Sequence, residues 1–370
     1  DDLPMHPQVL RSLQKFARMS LVQLKTLPYA LNGFDVCCEA PTGSGKTLCF
    51  VLPILESMLD AQWTRDAGTF ALLLAPTREL TTQIFNVFRD FNTLDVSLMA
   101  VYGGKFFRKE AAFLKGMGIV VGTPGRVIAH LEKSYNLDVS RLKYLVLDEA
   151  DKLIEVGFQS TIMDIVSHLP PKEDRVNLMF SATLRGSVSA LIKQLCRDDC
   201  IKSVYCLPSA SEQLAVNSSV RHAFVVIPLE HKLNYLLQLL QKHSQQKCLI
   251  FCSTVKQVRY LFEIVTRLRT GAKIYELQGS MSQAKRITIY SEFMNKTKSA
   301  LLITTDLIGR GIDFTAVDLV IQLDCPENEK TYTHRAGRTA RGLNYSGDNV
   351  LLLLPSETQF TAKLARHGCV

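Results

Sequence analysis

The segment Ala40-Pro41-Thr42-Gly43-Ser44-Gly45-Lys46-Thr47 has the make-up of a phosphate loop. Glycines leave backbone N–H groups free to wrap phosphate oxygens, the lysine ammonium reaches the outer phosphates, and the final hydroxyl can ligate Mg2+. The loop follows a strand-like run, Asp35-Val36-Cys37-Cys38, and opens a helix-like stretch, which is the setting this chemistry requires. Roughly 100 residues downstream, the apolar run Tyr144-Leu145-Val146-Leu147 ends in Asp148-Glu149-Ala150-Asp151. An acidic tetrapeptide by itself is commonly the start of a solvated helix. Delivered by a buried strand and paired with Lys46, it suits a different chemistry, with Asp148 directed toward a divalent cation and Glu149 toward orienting or deprotonating water.

Positioning these groups takes a particular architecture. Strand-like runs at Asp35–Glu39, Phe70–Ala75, Ile119–Val121, Tyr144–Leu147 and Asn177–Phe180 each precede a turn or an amphipathic stretch, the pattern of a parallel sheet with crossover helices. The pattern breaks into Pro, Ser, Ala and Asn near Ser203–Arg221 and resumes with Cys248–Cys252, Lys273–Leu277, Ala300–Thr304, Leu319–Leu323 and Val350–Leu354. Two α/β domains are therefore expected, 1–204 and 222–370, with 205–221 as the linker. Length agrees, since 370 residues exceed what one core comfortably holds.

Composition narrows the class. With 47% hydrophobic and 21% charged residues, the chain is neither disordered, collagenous nor a long coiled coil. Its apolar runs, such as Ala71–Ala75 and Leu351–Leu354, fall far short of the roughly 18 residues a membrane span needs. Asp1-Asp2-Leu3-Pro4 lacks a signal sequence, so an intracellular protein without a membrane partner is expected. The missing initiator Met suggests an excised core. A net charge of +8 favours a polyanion without identifying one. The 10 cysteines include no Cys-x-x-Cys and read as reduced, structural thiols.

In order along the chain, these segments resemble the motifs of the DEAD-box RNA helicases, with Asp148-Glu149-Ala150-Asp151 as the signature. The likeness runs from about Phe16 to Arg341. It implies two tandem RecA-like parallel-sheet domains joined by a short linker, ATP and Mg2+ as cofactors, and an RNA-dependent ATPase. Phe16-Ala17-Arg18-Met19-Ser20-Leu21-Val22-Gln23 resembles the family's adenine-reading segment: Phe16 stacks on the base, Gln23 hydrogen-bonds its edge and Arg18 lies beside it. An amide offers one donor and one acceptor, which fits that edge. The resemblance adds Thr42, Gly43, Ser44, Gly45, Lys46 and Thr47 to the ATP site, with Asp313 on the ribose and the metal on Thr47 and Asp148.

Pro76-Thr77-Arg78, Gly103-Gly104 and Thr123-Pro124-Gly125-Arg126 resemble the family's RNA-backbone contacts in the first domain. Each is a junction where backbone N–H groups or a helix N-terminus can meet phosphates. In the second half the same role falls to Ser253, Gly279, Gln283, Arg286 and Thr305. Gln278 stands where the family commonly has His, and Leu307-Ile308-Gly309 where it has small residues. Asp151, Ser181, Thr183, His334 and Arg335 resemble the residues coupling nucleotide state to RNA, Ser181 and Thr183 through hydrogen bonds to the Asp148–Asp151 loop. In His334-Arg335-Ala336-Gly337-Arg338-Thr339-Ala340-Arg341 the arginines recur every three residues, and on a helical turn they share one face. By resemblance Arg338 and Arg341 act on the γ-phosphate, Arg341 as the arginine finger, which is worth about 10³ to 10⁵ in rate. Lys46, Asp148, Glu149, Arg338 and Arg341 are thus the implied catalytic set, and hydrolysis is expected to wait on the two halves docking with RNA.

The implied activity is local, non-processive duplex separation or RNP remodelling, with little sequence selectivity and marked salt dependence. Protein partners in an RNP and a monomeric core are expected. Gly311–Phe314, Gln322–Glu327 and Thr331-Tyr332 resemble nucleolar members acting in ribosomal-RNA processing, which favours the nucleus or nucleolus over the cytoplasm. An ATP-timed RNA clamp uses the same residues. A DNA-translocating motor is disfavoured by Phe16–Gln23 and Asp148–Asp151.

Overall fold

The computed structural model describes residues 5–14, 18–41, 43–91, 95–104, 106–134, 136–206, 220–268, 271–306, 317–339 and 346–366. Phe16, Thr42, Asp313, Arg341 and the expected linker over 207–219 lie outside them. The chain divides into two units, Asp1–Leu207 and Pro208–Val370.

The first unit is built on β1 (Asp35–Glu39), β2 (Ala71–Leu74), β3 (Leu98–Val101), β4 (Ile119–Gly122), β5 (Tyr144–Leu147), β6 (Val176–Ser181) and β7 (Ile201–Tyr205), in the order β3-β4-β2-β5-β6-β1-β7. Every pairing is parallel. Parallel strands need crossover helices, which cover both faces, so the central strands are apolar on both sides. Along β2, Ala71 and Leu73 pack with Phe50 and Ile54 on one face, while Leu72 and Leu74 pack with Val127 and Leu145 on the other.

The second unit repeats the design with β8 (Val220–Val226), β9 (Lys247–Cys252), β10 (Lys273–Leu277), β11 (Ala300–Thr305), β12 (Leu319–Gln322) and β13 (Gly347–Leu353), ordered β10-β11-β9-β12-β13-β8 and again all parallel. Cys248 and Ile250 of β9 face one cluster, Leu249 and Phe251 the other.

The two expected parallel-sheet domains are therefore present. The central strands match the sequence reading to within a residue or two, except β13, which starts three residues earlier. Strands β3, β7 and β8 are not among the runs that the sequence marks, and the stretch read as a linker contains the end of β7 and the start of β8. All three lie at sheet edges and are only partly covered. Polar residues interrupt β7 and β8, so they lack the continuous apolar run that marks a central strand, whereas β3 is a short apolar run that the sequence reading passes over. The described cysteines are free thiols. Burial pushes Cys38 and Cys248 each up to about 12, so they behave as packing groups. Among the described residues no helix is long and apolar enough to cross a membrane.

At the N-terminal end of β1, fully buried Asp35 accepts hydrogen bonds from Asn177 N–H (2.8 Å) and Nδ2 (3.1 Å), and from Arg197 N–H (2.7 Å), Nε (3.1 Å) and Nη2 (2.7 Å). Arg175, also buried, donates to Asn177 Oδ1 at 2.9 Å. This cluster welds β1 to β6 at the end of the sheet away from the motif residues.

Candidate functional site

The C-terminal ends of β1 to β6 in the first sheet carry one motif each. The phosphate loop leaves β1 after Glu39. Lys46 is buried and its Nζ donates to Ala40 O at 2.7 Å, closing the loop on itself. Gly45 has φ +91°, and a Cβ there would stand 2.8 Å from Gln23 Nε2, so both backbone and space call for glycine. Gln23 Nε2 donates to Gly45 O at 3.1 Å. The same side chain accepts from Ser20 N–H at 2.9 Å, while Ser20 Oγ accepts from Gln23 N–H at 3.4 Å, a capping box that starts the helix Leu21–Leu31. Gln23 thus ties the helix start to the phosphate loop. Arg18 is exposed just upstream. Ser44 Oγ donates to Pro41 O at 2.8 Å. Thr47 is the N-cap of the helix Leu48–Asp60, yet its hydroxyl makes no cap hydrogen bond. A helix N-terminus and an uncommitted hydroxyl beside Gly43–Lys46 suit phosphate and cation oxygens.

Asp148 follows β5 and is buried; its Oδ1 accepts from Glu149 N–H at 3.0 Å. Burial raises its carboxyl above the usual range, and nearby Lys46 acts in the opposite direction. A desolvated carboxylate beside the lysine is a fitting oxygen donor for a hard divalent cation, with Thr47 as the second. Glu149 sits at φ 51°, ψ 52°, left-handed for a non-glycine residue, as the N-cap of the helix Ala150–Glu155. Such a conformation costs about 1–2 kcal/mol and marks sites where geometry matters more than stability. Asp151, buried, donates its N–H to Ser181 Oγ at 3.3 Å, and Ser181 Oγ also accepts from Thr183 N–H at 3.2 Å. Glu39 Oε2, which the sequence reading passes over, accepts from Leu184 N–H at 3.2 Å and holds this loop to the end of β1.

At the other end of the same sheet edge, Thr77 follows Pro76, and its Oγ1 accepts from Leu80 N–H at 3.2 Å at the start of the helix Arg78–Phe91. The Arg78 guanidinium lies against Gly103 and Gly104, where added Cβ atoms would stand 3.2 and 2.9 Å from it. Thr123 is the N-cap of the helix Pro124–Lys133, which begins Pro124-Gly125-Arg126. Arg126 Nε donates to Glu110 Oε2 at 2.5 Å, and His130 Nε2 bonds the same oxygen at 2.8 Å. Burial pushes the Glu110 carboxyl up, but the His130 and Arg126 hydrogen bonds outweigh it and the net shift is downward. The Phe107 ring stacks on His130 at 4.4 Å and meets the Arg126 guanidinium at 5.0 Å. Glu110, His130 and Phe107 escape the sequence reading. The signal is there in part, because Arg126 and His130 are one helical turn apart and share a face.

In the second unit, Ser253 N–H donates to Asp324 Oδ2 at 3.0 Å, and Lys232 Nζ to Asp324 Oδ1 at 3.2 Å. Gln278, at the end of β10 before Gly279, is buried: its Oε1 accepts from Arg259 Nε at 3.2 Å and from Ser280 Oγ at 3.2 Å, and its Nε2 donates to Glu276 Oε2 at 3.3 Å. Gln283 opens the helix Gln283–Met294, whose Arg286 N–H donates to Ser282 O at 3.0 Å. Thr305 ends β11 and is buried. Arg335 grips Asp306 through Nε at 2.7 Å and Nη2 at 2.6 Å, and donates to Asp324 O at 2.8 Å. Arg338 is buried, its Nε donating to His334 O at 3.1 Å. Arg335 and Arg338 do not share one helical face, as a plain basic stripe would require. The helix Glu329–Ala336 ends at the Gly337 C-cap, and Thr339 pairs with Val317 immediately after.

A phosphate loop after β1 and an acidic loop after β5, on the same edge of one parallel sheet and followed in the chain by a second parallel-sheet unit, define a tandem-domain α/β protein with a candidate nucleotide site. Residues 20–191 match the DEAD/DEAH box helicase family profile and 231–342 the helicase conserved C-terminal domain, and the chain belongs to the DEAD-box helicase family. It is 38% identical over 366 residues to the probable ATP-dependent RNA helicase DDX10 of Homo sapiens, covering 98% of this chain and 41% of that one. It is 41% identical over 363 residues to ATP-dependent RNA helicase DBP4 of Coccidioides immitis, covering 97% and 44%. The chain spans less than half the length of these curated relatives. Mss116p lacking its NTE and C-tail, solved with ssRNA and AMP-PNP, matches with a TM-score of 0.86 and 27% identity, over 99% of this chain and 76% of that one.

Proposed function

We propose that the chain is the core of an ATP-dependent RNA helicase, hydrolysing ATP when RNA is bound and separating short duplexes or remodelling RNPs. The observation that carries this is the end of the first sheet, where buried Lys46 and the buried Asp148 carboxylate stand beside a glycine-rich loop and Glu149 is held in a left-handed conformation. In this reading the loop N–H groups and Lys46 hold the phosphates, with Phe16, Arg18 and Gln23 on the base and Asp313 on the ribose. Asp148 and Thr47 would hold Mg2+, which supplies charge neutralisation on the phosphate oxygens. Glu149 orients the attacking water and accepts its proton as the bond to the ADP oxygen breaks. Arg338 and Arg341 of the second unit stabilise the charge on the transferring phosphoryl group.

RNA runs over Pro76-Thr77-Arg78, Gly103-Gly104 and Thr123–Arg126 in the first unit and Ser253, Gly279, Gln283, Arg286 and Thr305 in the second. Asp151, Ser181, Thr183, His334 and Arg335 pass the nucleotide state to it. The sequence resemblance supports a place in ribosomal-RNA processing in the nucleolus, a monomeric core, and RNP protein partners. Separation of a short RNA duplex under multiple turnover, with Glu149→Gln alongside, tests the reading. ATP-dependent separation abolished in the variant is the expected result. RNA-stimulated hydrolysis without separation would replace the helicase with a clamp.

A further inference from the structure

Two residues beyond Gly104, and so within about 7 Å of it along the backbone, Phe106 places an aromatic ring in solvent at 81% exposure. Its surroundings argue against chance. The backbone beneath it is rigidly held: Phe106 O accepts from Glu110 N–H at 3.1 Å, Glu110 is locked by Arg126 and His130, and the next residue, Phe107, is stacked on His130. The ring is therefore mounted on the buried cluster that fixes the candidate RNA-contact residue Arg126. Lys109 Nζ lies 5.7 Å from its centroid, and exposed Arg108 adds a second cation.

We propose that Phe106 is a base-stacking platform for single-stranded RNA, adding a base-facing contact to the backbone contacts of Gly103, Gly104 and Arg78. The proposal rests on the RNA reading above. A solvent-facing ring beside cations and a phosphate-binding glycine turn is the pairing by which proteins hold single strands without reading sequence, because every base has a π face. A protein partner would want a contiguous apolar surface. Here the exposed neighbours on the helix Phe107–Leu114 are Arg108, Lys109 and Ala112 before Phe113 is reached.

The test is fluorescence anisotropy of the whole chain with a labelled oligoadenylate of about ten nucleotides and with an abasic ribose-phosphate strand of equal length, each with a non-hydrolysable ATP analogue. Phe106→Ala is expected to weaken oligoadenylate binding about 5- to 150-fold, Phe106→Trp to restore it, and the abasic strand to be insensitive to both. Phe113→Ala, altering a ring 67% exposed but farther along the helix, is expected to bind like wild type. Equal affinity of Phe106→Ala and wild type, an equal loss on the abasic strand, or an equal loss in Phe113→Ala would overturn stacking while leaving RNA binding intact. Failure of the wild type to bind either strand would instead sink the RNA reading and the proposal with it.

Discussion

The two ends of the first sheet both bury charge, and they do so in opposite ways. At the N-terminal end, Asp35 is saturated by Arg197 and Asn177, with Arg175 behind them. At the C-terminal end, Lys46 reaches a single backbone carbonyl, Asp148 Oδ1 is met by one backbone N–H, burial raises the Asp148 carboxyl, and Glu149 is conformationally strained. A fully satisfied cluster is a fastening. One that keeps strain and desolvated charge is held ready for something else to complete it.

Mutations that tell the two ends apart break or sharpen this contrast. The largest effect belongs to Glu149→Gln, which is expected to lower ATP turnover by about 10² to 10⁴ with an unchanged melting temperature. Near-normal turnover would remove Glu149 as the water-orienting carboxylate. Asp35→Ala is expected to do the reverse. Stripping the acceptor from partly buried Arg197 and buried Asn177 costs about 3–5 kcal/mol in denaturant unfolding, with turnover per folded molecule retained. A loss of turnover without a loss of stability would blur the distinction.

The second unit has an intermediate case. His222 on β8 bonds the Tyr332 hydroxyl at 2.7 Å, and Asn349 Nδ2 donates to that hydroxyl at 3.1 Å, fastening the helix that carries His334 and Arg335. Burial lowers the His222 pKa from its ordinary 6.5, so the unfolded chain takes up a proton that the folded one resists. Stability is full above 6.5 and falls as the pH drops through and below that value. His222→Gln should flatten that part of the stability profile; an unchanged slope would assign the acid sensitivity elsewhere. The smallest effect is a gain. Glu149→Gly exchanges a left-handed penalty of about 1–2 kcal/mol for a glycine entropy cost of about 0.5–1 kcal/mol, so unfolding should become harder by roughly 0.5–1 kcal/mol while turnover is lost.

How much of this is legible in the sequence follows the same physics. Central parallel strands are buried on both faces, so β1, β2, β5 and β9 announce themselves as apolar runs, and the phosphate and acidic loops at their ends come with them. Edge strands β7 and β8, half in solvent and interrupted by polar residues, do not. Neither do partners brought in from far along the chain. Asp306 meets Arg335 across 29 residues. Glu110 gathers Arg126 and His130 from another helix, and Arg259 clamps Gln278 across 19 residues. Nor does the three-residue spacing of the arginines say where the C-cap falls, which is at Gly337, between Arg335 and Arg338.

The most direct test of the central claim is steady-state ATP hydrolysis by the whole chain with and without single-stranded RNA, at low and moderate salt, with a DNA strand of equal length as the control. Strong stimulation by RNA but not DNA, weaker at the higher salt and absent in Glu149→Gln, is the predicted result. Hydrolysis indifferent to RNA, or raised equally by DNA, would contradict it.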